Sequence, residues 1–314
     1  LEETLPSKPK PLPLATFHLL DYVQSQGKSQ KKSLVTIDKY LQQRANALVK
    51  RFQKKYEQNN VRHIGLLIRE TASGKVVAYV GNGMASPAKQ GQQVDIIQAK
   101  RSTGSILKPF LYSAALEEGL LLPHTLLADV PTQISGYAPK NFDLNYSGAV
   151  PASSALTQSL NIPFVRLLRR YGIPKFLNQL QKLQLKSIQY SADHYGLALI
   201  LGGAECTLWE LSEAYASMAQ TLLPEETKKF GQHLFLEEKD KKALPKIYSK
   251  GTLWQTVSAL SALNRPREEE GWEYYSGSRK IAWKTGTSFG FRDAWAVGIT
   301  PEYVVSVWVG NANG

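Results

Sequence analysis

The sequence predicts an α+β fold, and three observations carry that prediction. Strand-like runs rich in β-branched and apolar residues stand at both ends: "RHIGLLIRE" and "GKVVAYVG" early, and "RKIAWKTGT", "RDAWAVGIT" and "EYVVSVWVG" in a row at the end. From about Thr103 to Gln220 the patterning is mostly helical and is broken by Pro and Gly. Strands and helices do not alternate as βαβ units would. Antiparallel pairing of the two terminal groups of strands, with helices packed on the resulting sheet, is the economical solution.

The elements follow in order. Residues 1–14, "LEETLPSKPKPLPL", are rich in Pro and Lys and read as an extended linker. From Asp38 to Asn59 there is no Gly or Pro, and Leu41, Ala45, Leu48 and Phe52 recur at helical spacing, which predicts one long amphipathic helix. "TAS" between the first two strand runs predicts a hairpin. Pro109 lacks a backbone N–H, so a regular helix admits it only in the first turn. That helix therefore begins near Ser105, and Gly119 is a suitable stop. A second junction lies at Ser159, Leu160 and Asn161, with Pro163 opening the following helix and Gly172 closing it. A polar, charged stretch from Leu223 to Lys250 precedes the final strands.

Bulk properties bound the function. The chain has 314 residues, and its 43% hydrophobic content supplies a substantial core. A net charge of +12, from 38 basic and 26 acidic residues, favours an anionic partner. The basic residues are scattered in small groups without an aromatic-interleaved RNA motif or zinc-finger spacing, so they read as solvated faces and not as a nucleic-acid site. Cys206 is the sole cysteine, which excludes an internal disulfide and a cysteine-based metal cluster. No His and acid cluster has metal-ligand spacing, and no phosphate-binding glycine loop occurs, so neither metal nor cofactor is expected. No run approaches the roughly 20 apolar residues of a membrane helix. The chain starts at Leu1 without a signal-peptide pattern, so a processed or cloned piece with its anchor upstream is expected.

Chemistry concentrates in three short motifs. In "RSTGSILKPF" Ser105 precedes Lys108 by one helical turn, which lets the amine approach the hydroxyl beside the positive end of a helix. A lysine works there as a base only after losing its proton, and burial or a second nearby cation would bring that about. Taken alone, Ser105 is as simply a helix start with Lys108 in water, and Asn161 is most simply a cap. In "IAWKTGTSFG", Lys284, Thr285, Gly286 and Thr287 lie on a strand whose glycine admits close backbone approach. Together, SxxK, SxN and KTG in this order are far more specific than any one of them. Strand alternation puts Thr285 and Thr287 on one face and Lys284 on the other.

The set SxxK, SxN and KTG resembles that of the penicillin-binding transpeptidases. The resemblance covers roughly residues 62–314 and extends to "STGSILKPFLYSAALEEGL" and "ALILGGAECTLWELSEAYASMA". These stretches are similar to the transpeptidase domain of class A, bifunctional penicillin-binding proteins. "KTGTSFGFRDAWAVG" and the Asp129–Pro131 segment look closest to the penicillin-binding protein 1C subtype. Leu160 replaces the acid of an SDN motif, which fits a transpeptidase better than a class A β-lactamase. The resemblance implies residues 1–60 as a linker or interdomain segment containing the long helix, and residues 61–314 as the transpeptidase domain. It also implies a glycosyltransferase domain and an N-terminal membrane anchor outside this chain, and a location on the outer, periplasmic side of the cytoplasmic membrane.

The same resemblance implies the chemistry. Ser105 would attack the penultimate D-Ala carbonyl of a D-Ala-D-Ala stem peptide, with Lys108 as base, Lys284 as the second cation and Ser159 as proton relay. Asn161 would hold the peptide amide, and the N–H groups of Ser105 and Thr287 would form an oxyanion hole. Thr285 and Thr287, with Lys284, would receive the terminal carboxylate beside Gly286. An acceptor amine then makes the crosslink, while β-lactams leave a lasting acyl-serine. The alternatives are a serine β-lactamase, whose water-activating carboxylate would be Glu205, Glu210 or Glu213, and a noncatalytic β-lactam sensor. "GTSFG" at Gly286–Gly290 also matches a hydrolase elbow, but that motif needs a helix after the turn and "FRDAWAVGIT" reads as a strand. His194 reads as an exposed loop residue.

Overall fold

Along the chain, the computed structural model describes residues 15–27, 33–83, 91–134, 136–229, 234–236, 244–262 and 279–313; the expected linker 1–14 lies outside them. Two helices, α1 (Phe17–Ser25) and α2 (Lys39–Glu57), precede the hairpin of β1 (His63–Glu70) and β2 (Val76–Val80). The middle contains β3 (Arg101–Ser102), α3 (Lys108–Glu117), β4 (Leu126–Asp129), β5 (Gly148–Pro151), α4 (Ala152–Thr157), α5 (Asn161–Tyr171), α6 (Ile173–Lys182) and α7 (Ala192–Tyr195). After β6 (Glu205–Cys206) come α8 (Leu208–Leu222), α9 (Lys250–Ser261) and the strands β7 (Ala282–Thr287), β8 (Asp293–Ile299) and β9 (Tyr303–Gly310).

The terminal strands join in one antiparallel sheet of order β2-β1-β9-β8-β7, as their positions in the sequence predicted. Alternation along the strands gives the sheet two apolar faces. One face, with Ile64, Leu66, Ala78 and Val80, packs on Ala45 and Val49 of α2. The other, with Leu67, Val297, Val304 and Trp308, packs into the helical core that includes Leu208, Leu211 and Tyr215 of α8. The central contacts are close: a Cβ on Gly65 would stand 2.8 Å from Ile96 Cγ2. This arrangement leaves β7 on a sheet edge, facing the helical middle.

Two details differ from the sequence expectation. On α2 the buried face centres on Gln42, Ala45, Val49 and Gln53, while Leu48 is exposed. Gln42 faces inward because β2 is the opposite sheet edge and its backbone needs partners, while Gln53 Nε2 donates to Arg62 O at 2.6 Å and Gly83 O at 3.4 Å, outside that strand. Gln42 Nε2 donates to Tyr79 O at 2.9 Å, and Gln42 Oε1 accepts from Tyr79 N at 2.7 Å. Secondly, α3 begins at Lys108, three residues later than the predicted start. Ser105 occupies the turn leading into it, closed by Ile106 N to Thr103 O (3.1 Å) and Lys108 N to Ser105 O (3.2 Å). The helix ends as expected, with Gly119 at φ +67° just beyond it. Two small sheets, β3–β6 and β4–β5, had no signal in the sequence pattern.

Candidate active site

Ser105 is half-buried in a turn that three separate elements hold rigid. Tyr215 Oη on α8 donates to Ile106 O at 2.7 Å, and Trp295 Nε1 on β8 donates to Ser102 O at 2.7 Å. On the third side the turn meets β7 backbone to backbone. A Cβ on Gly286 would lie 2.9 Å from Thr103 O and 3.0 Å from Ile106 N, and one on Gly104 would lie 2.5 Å from Thr287 O. Only glycine permits this approach, and Gly104 also adopts φ +52°. Ser105 is thereby set beside Thr287.

The edge position of β7 decides where its polar groups point. Ser288 N donates to Asp293 O at 2.9 Å, so the ladder to β8 continues inward through Gly286 and Lys284. The backbone groups of Thr285 and Thr287 consequently face the open edge, towards the Ser105 turn. Ser105 N–H has no protein acceptor among the described residues. Two backbone donors therefore converge on the space beside Ser105. The predicted side-chain alternation is also present: Thr285 and Thr287 are exposed, and Lys284 is buried on the opposite face.

Both lysines are fully buried, and both reach Ser159. Lys108 Nζ donates to Ser159 O at 2.6 Å and to Asn161 Oδ1 at 2.8 Å. Lys284 Nζ donates to Ser159 Oγ at 2.8 Å and to Thr285 O at 2.6 Å. Burial lowers Lys284 to about 7. Lys108 is pressed well below the ordinary ammonium range, first by burial and then by the charge of Lys284. Among the described residues neither lysine has a carboxylate within ion-pair distance, so little opposes the loss of a proton. A neutral Lys108 amine has two hydrogens, both donated here, which leaves its lone pair available.

Ser159 itself is strained, with φ +57° between α4 and α5, a conformation that non-glycine residues rarely adopt. Asn161 differs from the simple expectation of a helix cap. It is the first residue of α5, and the cap is supplied by Asn141, whose Oδ1 accepts from Asn161 N at 2.9 Å and Ile162 N at 3.3 Å. Freed from that task, the Asn161 side chain accepts from Lys108 and donates Nδ2 to Lys140 O at 2.8 Å. Asn141 is held in turn by Asp129 Oδ1 at 2.7 Å, while Asp129 Oδ2 accepts from Ser147 N. Sequence reasoning missed Asn141 and this role of Asp129; only the "DVP" segment had drawn attention to the latter.

The remaining candidates separate cleanly. Ser288 accepts from Asp293 N and is followed by a short turn and then β8, so no hydrolase elbow forms. Glu210 closes the capping box of α8 and accepts from Ser187 N, and Glu213 faces buried Arg69 at 3.6 Å. Glu205 is exposed in a cavity of about 340 Å³ beyond Ser288, which Phe289, Arg292 and Tyr190 also line. His194 is exposed as predicted, but on the short helix α7 instead of a loop. Among the described residues no cluster of His, Cys, Asp and Glu is arranged to hold a metal ion.

Comparison with known proteins adds an independent line. Residues 64–313 match the family described as the penicillin binding protein transpeptidase domain. Penicillin-binding protein 1C of Escherichia coli (strain K12) is 32% identical over 289 residues, which is 92% of this chain and 36% of that protein. Penicillin-binding protein 1F of Bacillus subtilis (strain 168) is 29% identical over 231 residues, covering 68% of this chain and 31% of the relative. The chain thus spans about a third of the length of these curated relatives. Among solved structures, PonA1 of Mycobacterium tuberculosis in complex with penicillin V aligns with a TM-score of 0.68 at 22% identity, covering 95% of this chain and 82% of that one. A peptidoglycan synthetase from Bifidobacterium adolescentis aligns at 0.72 and 16% identity, over 88% and 57% of the two chains. At these identities the structural matches speak to the fold.

Proposed function

The chain belongs to the penicillin-binding protein transpeptidase domain family, and from that premise we propose that it is a serine-type D-Ala-D-Ala transpeptidase of peptidoglycan, acylated by β-lactams. One observation carries the reading: two fully buried lysines both donate to Ser159, and one of them, Lys108, follows half-buried Ser105 by three residues at the start of α3. In this scheme Ser105 Oγ attacks the penultimate D-Ala carbonyl, and its proton passes to the free lone pair of Lys108. The developing oxyanion is received by the N–H groups of Ser105 and Thr287. As the C–N bond breaks, the proton reaches the departing D-Ala amine through Ser159. Asn161 holds the donor's amide. Lys284, Thr285 and Thr287 receive the terminal carboxylate, with Gly286 keeping β7 close to the turn.

The acyl-serine is then resolved by an amine of a neighbouring stem peptide, which becomes the crosslink. A β-lactam keeps its leaving group tethered, so the corresponding ester persists. The hydrolytic alternative has less support, because Glu210 and Glu213 are committed elsewhere and only exposed Glu205 stands near the cleft. The enzyme would act in the bacterial envelope, outside the cytoplasmic membrane, where the +12 charge meets anionic headgroups and wall polymers. Among the described residues no helix is long and apolar enough to cross a membrane.

Intact mass after incubation with a penicillin, followed over time, tests the proposal. A single stable adduct that is absent in Ser105→Ala is the expected result. Rapid return to the unmodified mass would instead indicate a β-lactamase, and an adduct retained by Ser105→Ala would refute the assignment of the nucleophile.

A further inference from the structure

Two walls of the cleft are joined by a feature that the chemistry above does not use. Phe142 lies in the loop whose Lys140 and Asn141 hold Asn161. Phe291 lies in the turn that follows β7, four residues after Thr287. The two rings nonetheless meet edge to face, with centroids 5.8 Å apart and planes at 85°. The contact therefore runs from the SxN wall to the KTG wall, as does the bond from Lys284 Nζ to Ser159 Oγ. Along the chain, the exposed Thr285 and Thr287 lie between Lys284 and Phe291, the residues that make these two crossings.

Neither ring is needed to build the core. Phe142 is 78% exposed and Phe291 is 73% exposed, so most of each aromatic surface remains in water. Phe291 is also held at φ +58°, a left-handed conformation that is unfavourable for an aromatic residue. The turn enforces it: Phe291 N donates to Ser288 O at 3.1 Å, and Ser288 is pinned on both sides by Asp293. Gly290, at φ +73°, turns the chain so that Phe289 lines the 340 Å³ cavity while Phe291 meets Phe142. A strained, solvent-facing ring that reaches across a cleft has no stabilising account within the folded chain. Such outliers gather where a ligand is gripped.

The direction of the donor makes the function specific. With its carboxylate at Lys284 and Thr285 and its reacting carbonyl beside Thr287, a donor paired to the edge of β7 runs antiparallel to the strand. Its next residues leave Thr287 towards Ser288 and the cavity, passing the aromatic pair. We propose that Phe142 and Phe291 form a clamp that contacts the donor segment immediately upstream of the reacting D-Ala, favouring extended stem peptides over donors that end there. The inference rests on the transpeptidase reading of the site.

The test compares two thioester donors that share a D-alanyl thioester end. One is capped by acetyl directly at that residue, and the other continues into the full stem peptide. Release of the thiol reports kcat/KM for each with the wild type, Phe142→Ala, Phe291→Ala, the double variant and the two Phe→Tyr variants. Because both rings are exposed, unchanged thermal midpoints are expected throughout. Each Ala variant should lose roughly three- to tenfold with the long donor, the worth of one aromatic contact, and less than twofold with the short one. The Tyr variants should restore the long-donor rate, and the double variant should lose less than the product of the single losses. Equal losses with both donors, or unchanged rates with the long donor, would overturn the clamp; the latter would fit a surface for another domain. Faster turnover of both donors would likewise overturn it in favour of a gate. Absence of thiol release from either donor in the wild type would remove the transpeptidase premise and the clamp with it.

Discussion

Gly286→Ala isolates the contact between β7 and the Ser105 turn. Gly286 has no left-handed φ, so an alanine there meets only a steric problem. Its Cβ would lie 2.9 Å from Thr103 O, 3.0 Å from Ile106 N and 3.1 Å from Ile106 Cβ, and the two nearest atoms are backbone. Ordinary contact begins at 3.4 Å, so strand and turn must part by about 0.5 Å. Overpacking of this kind costs roughly 1–3 kcal/mol. That is tolerable for a fold of this size, and the variant should remain folded. The same displacement moves Thr287 away from Ser105 and spoils both the backbone-donor pair and the line of attack. Misplacements approaching 1 Å cost on the order of 100-fold in rate, so a loss of about 10- to 100-fold is expected. Stopped-flow acylation by a fluorescent penicillin measures it, with a thermal melt as control. A rate within twofold of the wild type, in a protein with an unchanged melt, would refute the claim that this backbone contact sets the site.

Two further predictions follow from groups whose environment is unusual. Between a folded pKa of about 7 and the ordinary 10.5 of Lys284, the unfolded chain binds a proton that the folded chain does not. Stability should therefore rise with pH between 7 and 9, and Lys284→Met should flatten the slope of urea midpoints against pH; an unchanged slope would contradict the burial argument. Gln42→Leu strands the N–H and C=O of Tyr79 at the far sheet edge and should cost about 1–3 kcal/mol in urea unfolding while leaving acylation unchanged. A variant as stable as the wild type would show that water serves that edge equally well.

The parts of the molecule that the sequence made legible are those governed by local periodicity. Strand alternation placed Lys284 opposite Thr285 and Thr287, and Pro109 put the start of α3 within a turn of its observed position. What escaped was satisfied at long range. Gln42 looks like part of a solvated helix face until the unpaired edge of β2 is beside it, Gln53 until the carbonyls of Arg62 and Gly83 are, and Asn161 looks like a cap until Asn141, twenty residues away, performs that task. Strands of two to four residues carry too little pattern to read, which is why β3–β6 and β4–β5 went unseen.

The long-range layer also explains how the site can hold conformations and charges that are unfavourable in isolation. Ser159 at φ +57° and Gly104 at φ +52° are fixed by groups outside their own turns: Lys108 and Lys284 on Ser159, Thr287 against Gly104, Tyr215 and Trp295 on the flanking carbonyls. The buried amines are held the same way. Two full ammonium charges on Ser159 would repel each other without a carboxylate to offset them, so the arrangement favours one proton fewer than two free lysines would carry. Lys284 has two acceptors, Ser159 Oγ and Thr285 O, Lys108 has Ser159 O and Asn161 Oδ1, and burial lowers the pKa of both amines. On the proposed mechanism the proton that matters is the one missing from Lys108, three residues after Ser105, where the scheme requires a base. Under the same proposal, moving that vacancy to Lys284 would leave a protonated Lys108 with no lone pair to offer and the proposed carboxylate subsite without its cation. Equally buried, the two chemically identical side chains differ in their partners, Ser159 O and Asn161 Oδ1 for Lys108 and Ser159 Oγ and Thr285 O for Lys284, and the proposed mechanism gives them different work accordingly.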